Sequence, residues 1–288
     1  MTAKSEAALK DIAWFLFWLV VFSAPIDAFS VYLGYTTPMI SRITMWAPGA
    51  AALVTCLIRR IRIDSLGWHW PKWNVIGWSY FLPWFYALPV YFLAWLLIPG
   101  ALDWPAFVAQ SAQPYHVVNH AGLFAAAFSI PTTLVFAFLS TMMWALGEEL
   151  GWRGFLQPRM GAWLGTTKGA LVVGLIWAAW HYPVLLGADY NSGTPPAYAL
   201  TCFTLTVVSM AVISGWLRTV SASIWPSVVL HAIHNTLIQA VLDAMTNTHG
   251  NAPYVTTEFG FGMTLTMAAT AFVVARTCAK RNPTGVAA

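Results

Sequence analysis

The sequence predicts an all-α fold, a polytopic bundle of about eight transmembrane helices with both termini on the cytoplasmic side. Three observations lead there. Only 8% of the 288 residues are charged while 59% are hydrophobic, against about 25% charged residues in an ordinary soluble domain. Apolar runs long enough to cross about 30 Å of hydrocarbon as helices recur along the whole chain. Lysine and arginine are confined to alternate connections between those runs, as expected of cytoplasmic loops.

The runs fall near residues 12–34, 42–58, 75–99, 124–157, 169–186, 198–217, 223–244 and 261–278. Pro25, Pro48, Pro83 and Pro89 lie within them. They are read as kinks and not as ends, because neighbouring helices in a membrane can satisfy the backbone groups that proline frees. The fourth run is expected to begin after Pro131 and to stop at Pro158. A short basic stretch precedes the first run, whose apolar length exceeds that of a signal peptide, so it is read as a retained helix.

Orientation follows from the basic residues. Lys4 and Lys10 precede the first run, and Arg59, Arg60, Arg62 and Lys72 follow the second. Arg153, Arg159 and Lys168 sit at the next turn on that side, followed by Arg218 and then Arg276, Lys280 and Arg281. Of the 14 basic residues only Arg42 falls outside this set. The segments near 100–120, 187–197 and 246–260 contain no Lys or Arg and read as outer loops. The expected location is a multi-pass position in the cell (inner) membrane.

The net charge of +4 is thereby explained by topology. The expected partners are the lipid bilayer and a membrane-associated peptide or protein, with no nucleic acid. Cys56, Cys202 and Cys278 lie in or at the ends of runs and read as small apolar side chains, not a disulfide framework. With no soluble domain, low-complexity tract or clear repeat, residues 1–288 read as a single membrane domain. The connection 61–78 carries Trp68, Trp70, Trp73 and Trp78, a composition suited to the headgroup region.

Ionisable groups at membrane depth are costly and tend to mark function. They occur in three places: Glu148 and Glu149 with Arg153 in the fourth run, His181 in the fifth, and His231, His234 and Asn235 in the seventh. Glu149 and Arg153, four residues apart, share a helix face and can pair, leaving Glu148 free about 100° away. His231 and Asn235 also share a face. Asp243, near the outer end of its run, reads as an interfacially solvated carboxylate. Counted from the expected helix ends, Glu148 lies about 14 Å and His181 about 20 Å from the basic side. The polar groups therefore converge nearer that side.

A carboxylate and a histidine around water supply general-base chemistry, and an amide with a second imidazole can hold an oxyanion. No serine or cysteine stands in a GxSxG-type motif. Together these groups describe a peptide hydrolase. A non-catalytic binding or immunity protein and a proton-coupled transporter are the alternative readings.

The ordered set Glu148-Glu149-x-x-x-Arg153, then Trp177-x-x-x-His181, then His231-x-x-x-Asn235 resembles the CPBP family of intramembrane endopeptidases, related to CAAX prenyl proteases and to bacteriocin-processing and self-immunity proteins. The family patterns are EExxxR, FxxxH and HxxxN, so Trp177 stands where the family has Phe. The likeness covers about residues 131–245. It implies that Glu148 and His181 activate water, that His231 and Asn235 form the oxyanion site, and that Glu149 and Arg153 support them. It implies cleavage of a membrane-associated substrate, with a CAAX-type prenylated C-terminus as one class. No cofactor is expected. Zinc held by His181, His231, His234 and a glutamate is the alternative, although no HExxH motif is present.

Overall fold

The computed structural model of the protein describes residues 3–247 and 249–281. It is helical throughout. Among the described residues the only β-type pairing is a single bridge between Leu102 and Thr246. The helices are α1 (Ala3–Leu33), α2 (Pro38–Thr44), α3 (Ala47–Arg59), α4 (Trp73–Leu97), α5 (Trp104–Ala112), α6 (Ala121–Leu164), α7 (Thr166–Gly187), α8 (Pro196–Ser221), α9 (Trp225–Met245) and α10 (Phe261–Arg281). Eight segments among the described residues are long and apolar enough to span a bilayer. They coincide with the eight runs read from the sequence, α2 and α3 together making the second.

Two ends of the bundle are defined by contacts. At one, Asp11 of α1 accepts from Arg59 at 3.0 Å and from Arg159 at 3.5 Å. There too His69 lies 3.0 Å from the Ser221 carbonyl, and Trp225 donates to the Trp68 carbonyl at 2.7 Å. At the other, the backbone of Asp103 bonds to Met245, Tyr190 meets Glu258, and Tyr198 donates to the Tyr254 carbonyl. The first gathers the basic loops. Arg42, the exception in the sequence, sits in α2 with its guanidinium 5.8 Å from the ring centre of Trp144.

The prolines divide into two kinds. Pro25, Pro83 and Pro89 lie inside continuous helices, as expected. Pro48 instead stands in the first turn of α3, where its fixed φ and missing N–H suit a helix start. The second span is therefore broken at Met45 and Trp46.

The fourth span also differs from expectation, since α6 starts before Pro131 and continues through Pro158 to Leu164. Its wider π turns explain this. Ala125–Ser129 and Thr133–Ala137 bracket Pro131, and Leu150–Leu156 runs almost up to Pro158, so the helix absorbs each missing donor by local widening.

Helices in a membrane associate by close packing of small residues, because lipid tails are as apolar as leucine. Gly147 and Gly151 supply that contact between α6 and α3. A Cβ on Gly151 would come within 2.5 Å of Pro48, and one on Gly49 within 2.6 Å of the Gly147 carbonyl oxygen. The glycines flank Glu148, Glu149 and Leu150, so the carboxylates sit where two backbones nearly touch. An aromatic core of Phe15, Trp152, Phe155, Trp177 and Phe203 packs around them, with Phe15 stacked on Phe155 at 5.2 Å. Outward positions such as Phe85, Leu96, Leu97 and Phe136 stay exposed and apolar, as a lipid-facing surface requires.

Candidate active site

Glu148, His181, His231 and Asn235 line one cavity of about 190 Å³. α6 brings the glutamate, α7 His181, and α9 the last two. The π turn of α6 begins immediately after Glu149 and that of α9 immediately after Asn235. Each therefore changes the helix register right behind a motif, a placement common at functional sites.

Glu148 is buried and is not free. Its Oε2 accepts from the indole N–H of Trp177 at 2.7 Å and from that of Trp152 at 3.2 Å. Two donors on one oxygen fix the carboxylate and leave Oε1 with no hydrogen-bond partner among the described residues. The sequence reading that left Glu148 unengaged is corrected by these indoles. A helical wheel shows only neighbours on the same helix, and Trp177 comes from another. Trp177 does more than preserve an aromatic packing element, since phenylalanine could not make this bond.

Glu149 and Arg153 form the expected pair at 3.0 Å, both side chains fully buried. The same Oε1 of Glu149 also lies 2.9 Å from His231 Nδ1. Arg153 is held in turn by the Trp177 ring, whose centre lies 4.3 Å from the guanidinium carbon, and its carbonyl accepts from Arg218 at 3.0 Å. The pair thus braces His231 and Trp177 from behind the cavity wall.

The histidines have defined anchors. His181 Nδ1 lies 2.9 Å from the Trp177 carbonyl, an acceptor, so the proton is assigned to Nδ1 and the ring offers Nε2 elsewhere. His234 Nδ1 is 2.7 Å from the hydroxyl of Tyr86 on α4, and His234 also lines the cavity. It is both a satisfied core histidine and a cavity residue.

Residues 130–237 match the family model of Rce1-like type II CAAX prenyl endopeptidases. This segment resembles the Rce1-like CAAX protease family. The Rce1-like segment contains every motif residue from Glu148 to Asn235. Over 97 residues the chain is 26% identical to CAAX prenyl protease 2 of Methanococcus maripaludis, a stretch covering 33% of this chain and 36% of that relative. The chain therefore spans about a third of the length of the curated relative it matches.

Residues outside the Rce1-like segment complete the cavity. Thr36, Ser41, Thr44 and Met45 form one part of its wall. Gln239 and Glu258, joined by Tyr190 from within the segment, form another. These belong to the end opposite the basic loops, so the cavity extends toward that end and not toward the basic side as the depth count suggested. The reason is the length of α6. Counted from Leu164, Glu148 lies about 24 Å along the helix.

Glu258 was not singled out from the sequence. Its oxygens accept from Gln239 Nε2 and, at 3.3 Å, from the Tyr190 hydroxyl. Burial pushes its carboxyl above the usual glutamate range, opposed by the Gln239 bond, by nearby His231 and by the Tyr190 bond. The only sequence signal was a lone acidic residue in a loop without Lys or Arg.

Asp243 is likewise corrected. It accepts from Tyr91 and is not simply solvated, and the Tyr91 oxygen accepts in turn from the Thr257 N–H at 3.0 Å.

The candidate site residues are each anchored: Glu148 on two indoles, His181 on a carbonyl, His231 on Glu149 and His234 on Tyr86. Among the described residues no three His, Cys, Asp or Glu side chains group as a metal site would need.

Proposed function

We propose that the chain is an intramembrane endopeptidase that hydrolyses a peptide bond in a membrane-associated protein or peptide with water activated by Glu148. The observation that carries this reading is the asymmetric carboxylate. Two indole donors pin Oε2 of Glu148 while Oε1 remains available in a cavity shared with two histidines and an asparagine.

Water bonded to Oε1 loses its proton to Glu148 as it attacks the scissile carbonyl. Base catalysis of this kind contributes roughly 10²–10⁴-fold. His181 Nε2 accepts a second hydrogen bond from that water, which aims a lone pair at the carbonyl carbon. The developing oxyanion receives hydrogen bonds from Nε2–H of His231 and the amide of Asn235. Glu149 accepts from His231 Nδ1–H and balances the charge of the doubly protonated ring. Protonated Glu148 then gives its proton to the leaving amine. No step needs a metal ion or another cofactor.

A CAAX-type prenylated C-terminus is the substrate class suggested by the family and by the name of the archaeal relative. The chain works as one membrane domain in the cell membrane, residues 131–245 forming the peptidase core and the earlier spans closing the cavity. The basic loops, and with them both termini, face the cytoplasm.

The test is purified protein in liposomes offered a panel of lipidated and unlipidated peptides, alongside Glu148→Ala and His231→Ala. Cleavage by the wild type and its loss in both variants is the expected result. Full activity of Glu148→Ala would overturn the glutamate mechanism, and no cleavage of any peptide would overturn the enzyme. Orientation is read by a Lys72→Cys thiol in a background without Cys56, Cys202 and Cys278. Labelling from the cytoplasmic face is expected, and labelling only from the other face reverses the assignment.

A further inference from the structure

The cavity contains a second carboxylate that the proposed hydrolysis does not use. Glu258 lies at the far end of the cavity, outside the Rce1-like segment of 130–237. Its hydrogen-bond donors there are neutral: the amide of Gln239 and the hydroxyl of Tyr190. Glu149, by contrast, is paired with Arg153 and His231. Among the described residues no lysine or arginine forms an ion pair with Glu258. A half-buried carboxylate without a lysine or arginine partner is an expensive arrangement, and a ligand that brings such a partner relieves it.

The loop holds the carboxylate in place. Thr257, next to it, has φ +61°, in the left-handed region where a β-branched residue is disfavoured. Three contacts maintain that backbone. The Thr257 N–H donates to Tyr91 at 3.0 Å, Tyr91 donates to Asp243, and the Phe259 N–H donates to Thr257 Oγ1 at 3.2 Å. Phe259 is buried against Phe203, with ring centres 5.3 Å apart. Gln239, exposed at the mouth, completes the pocket from α9.

We propose that Glu258, with Gln239 and Tyr190, is a specificity subsite that receives the basic side chain of a peptide substrate. The ammonium or guanidinium of a lysine or arginine pairs with the carboxylate while the scissile bond lies against Glu148. The preferred substrates are thus peptides with a basic residue at a fixed distance from the cleaved bond. This inference rests on the peptidase reading of the same cavity.

The experiment uses N-acetylated peptides that place lysine, norleucine or glutamate at each position in turn around a cleavable bond. Acetylation removes the terminal amine, so any cation effect comes from the side chain, and a matched set with free amino termini shows whether a terminal ammonium serves equally. Wild type is expected to cleave the lysine peptide at least tenfold faster, by kcat/KM, than the norleucine peptide at one position. Glu258→Gln should lose that preference. Glu258→Lys should reverse the preference toward glutamate. An unchanged lysine preference in both variants overturns the subsite and leaves the peptidase intact. So does a wild type that cleaves all three peptides equally. A wild type that cleaves nothing overturns the peptidase reading itself.

Discussion

The indole N–H of Trp177 lies 2.7 Å from Oε2 of Glu148 and binds it from a different helix. A hydrogen bond to a charged group contributes about 1.5–3 kcal/mol. Trp177→Phe removes the shorter of two such bonds and keeps an aromatic ring of the kind the family pattern has there. The longer bond from Trp152 remains, so kcat is expected to fall roughly tenfold, equivalent to about 1.4 kcal/mol, with KM little changed. Steady-state kinetics on one peptide, with a melting curve to show that the fold persists, decide the matter. An unaltered kcat would mean that Trp177 only packs.

Glu149 couples stability to activity, because one oxygen meets both Arg153 and His231. Removing one member of a buried ion pair strands the other and costs about 3–5 kcal/mol. Glu149→Leu and Arg153→Leu should each lower the melting temperature markedly, and the double variant should melt above either single one. Cleavage should nevertheless stay lost in the double variant, since His231 has no acceptor for Nδ1–H. A double variant that melts at the sum of the two losses shows the pair to be uncoupled.

The eight spans were legible because length and hydrophobicity alone define a membrane helix, and the motif set was legible because helical spacing is short-range. What escaped notice required partners far apart in the chain. The shorter of the two bonds to Glu148 comes from Trp177, 29 residues away, and the Tyr91 bond that holds Thr257 beside Glu258 crosses 166 residues. The end of α6 was misplaced for a different reason. Proline was read as a terminator, yet the π turn at Leu150–Leu156 lets the helix continue through Pro158. That one error shifted the apparent depth of Glu148.

The glycines beside the carboxylates should be intolerant of a single methyl group. In Gly151→Ala the new Cβ would stand 2.5 Å from Pro48. Overpacking of this kind costs about 1–3 kcal/mol, and it would push α3 away from the site. Gly161→Ala, in the same long helix, meets nothing within 4 Å and serves as the control. Gly151→Ala is expected to melt lower and cleave slowly, and Gly161→Ala to match wild type. Equal behaviour of the two would show that close approach at Gly151 is dispensable.

Chelation should leave cleavage unaltered, because the mechanism moves its proton through Glu148 and its charge through His231 and Asn235. Elemental analysis of the purified protein, before and after dialysis against a chelator, accompanies the assay. Activity lost on dialysis and restored by zinc would place a metal in the reaction.

The lysine preference assigned to Glu258 should depend on pH in a known direction. Burial raises this carboxyl above the 4.5 of an ordinary glutamate, so it takes up its proton earlier as pH falls. The groups facing it are Gln239 of α9 and Tyr190, with His231 at longer range and Asp243 beside the loop that carries it. Absolute rates would mix this titration with that of the hydrolytic groups. The ratio of kcat/KM for lysine over norleucine peptides cancels them, because both peptides meet the same Glu148 and histidines. That ratio should decline toward one on acidification, beginning at a higher pH than an exposed glutamate would give. Glu258→Gln should give a flat ratio throughout. A wild-type ratio that rises on acidification means that a protonated Glu258 makes the contact, and the subsite would then read an acceptor and not a cation.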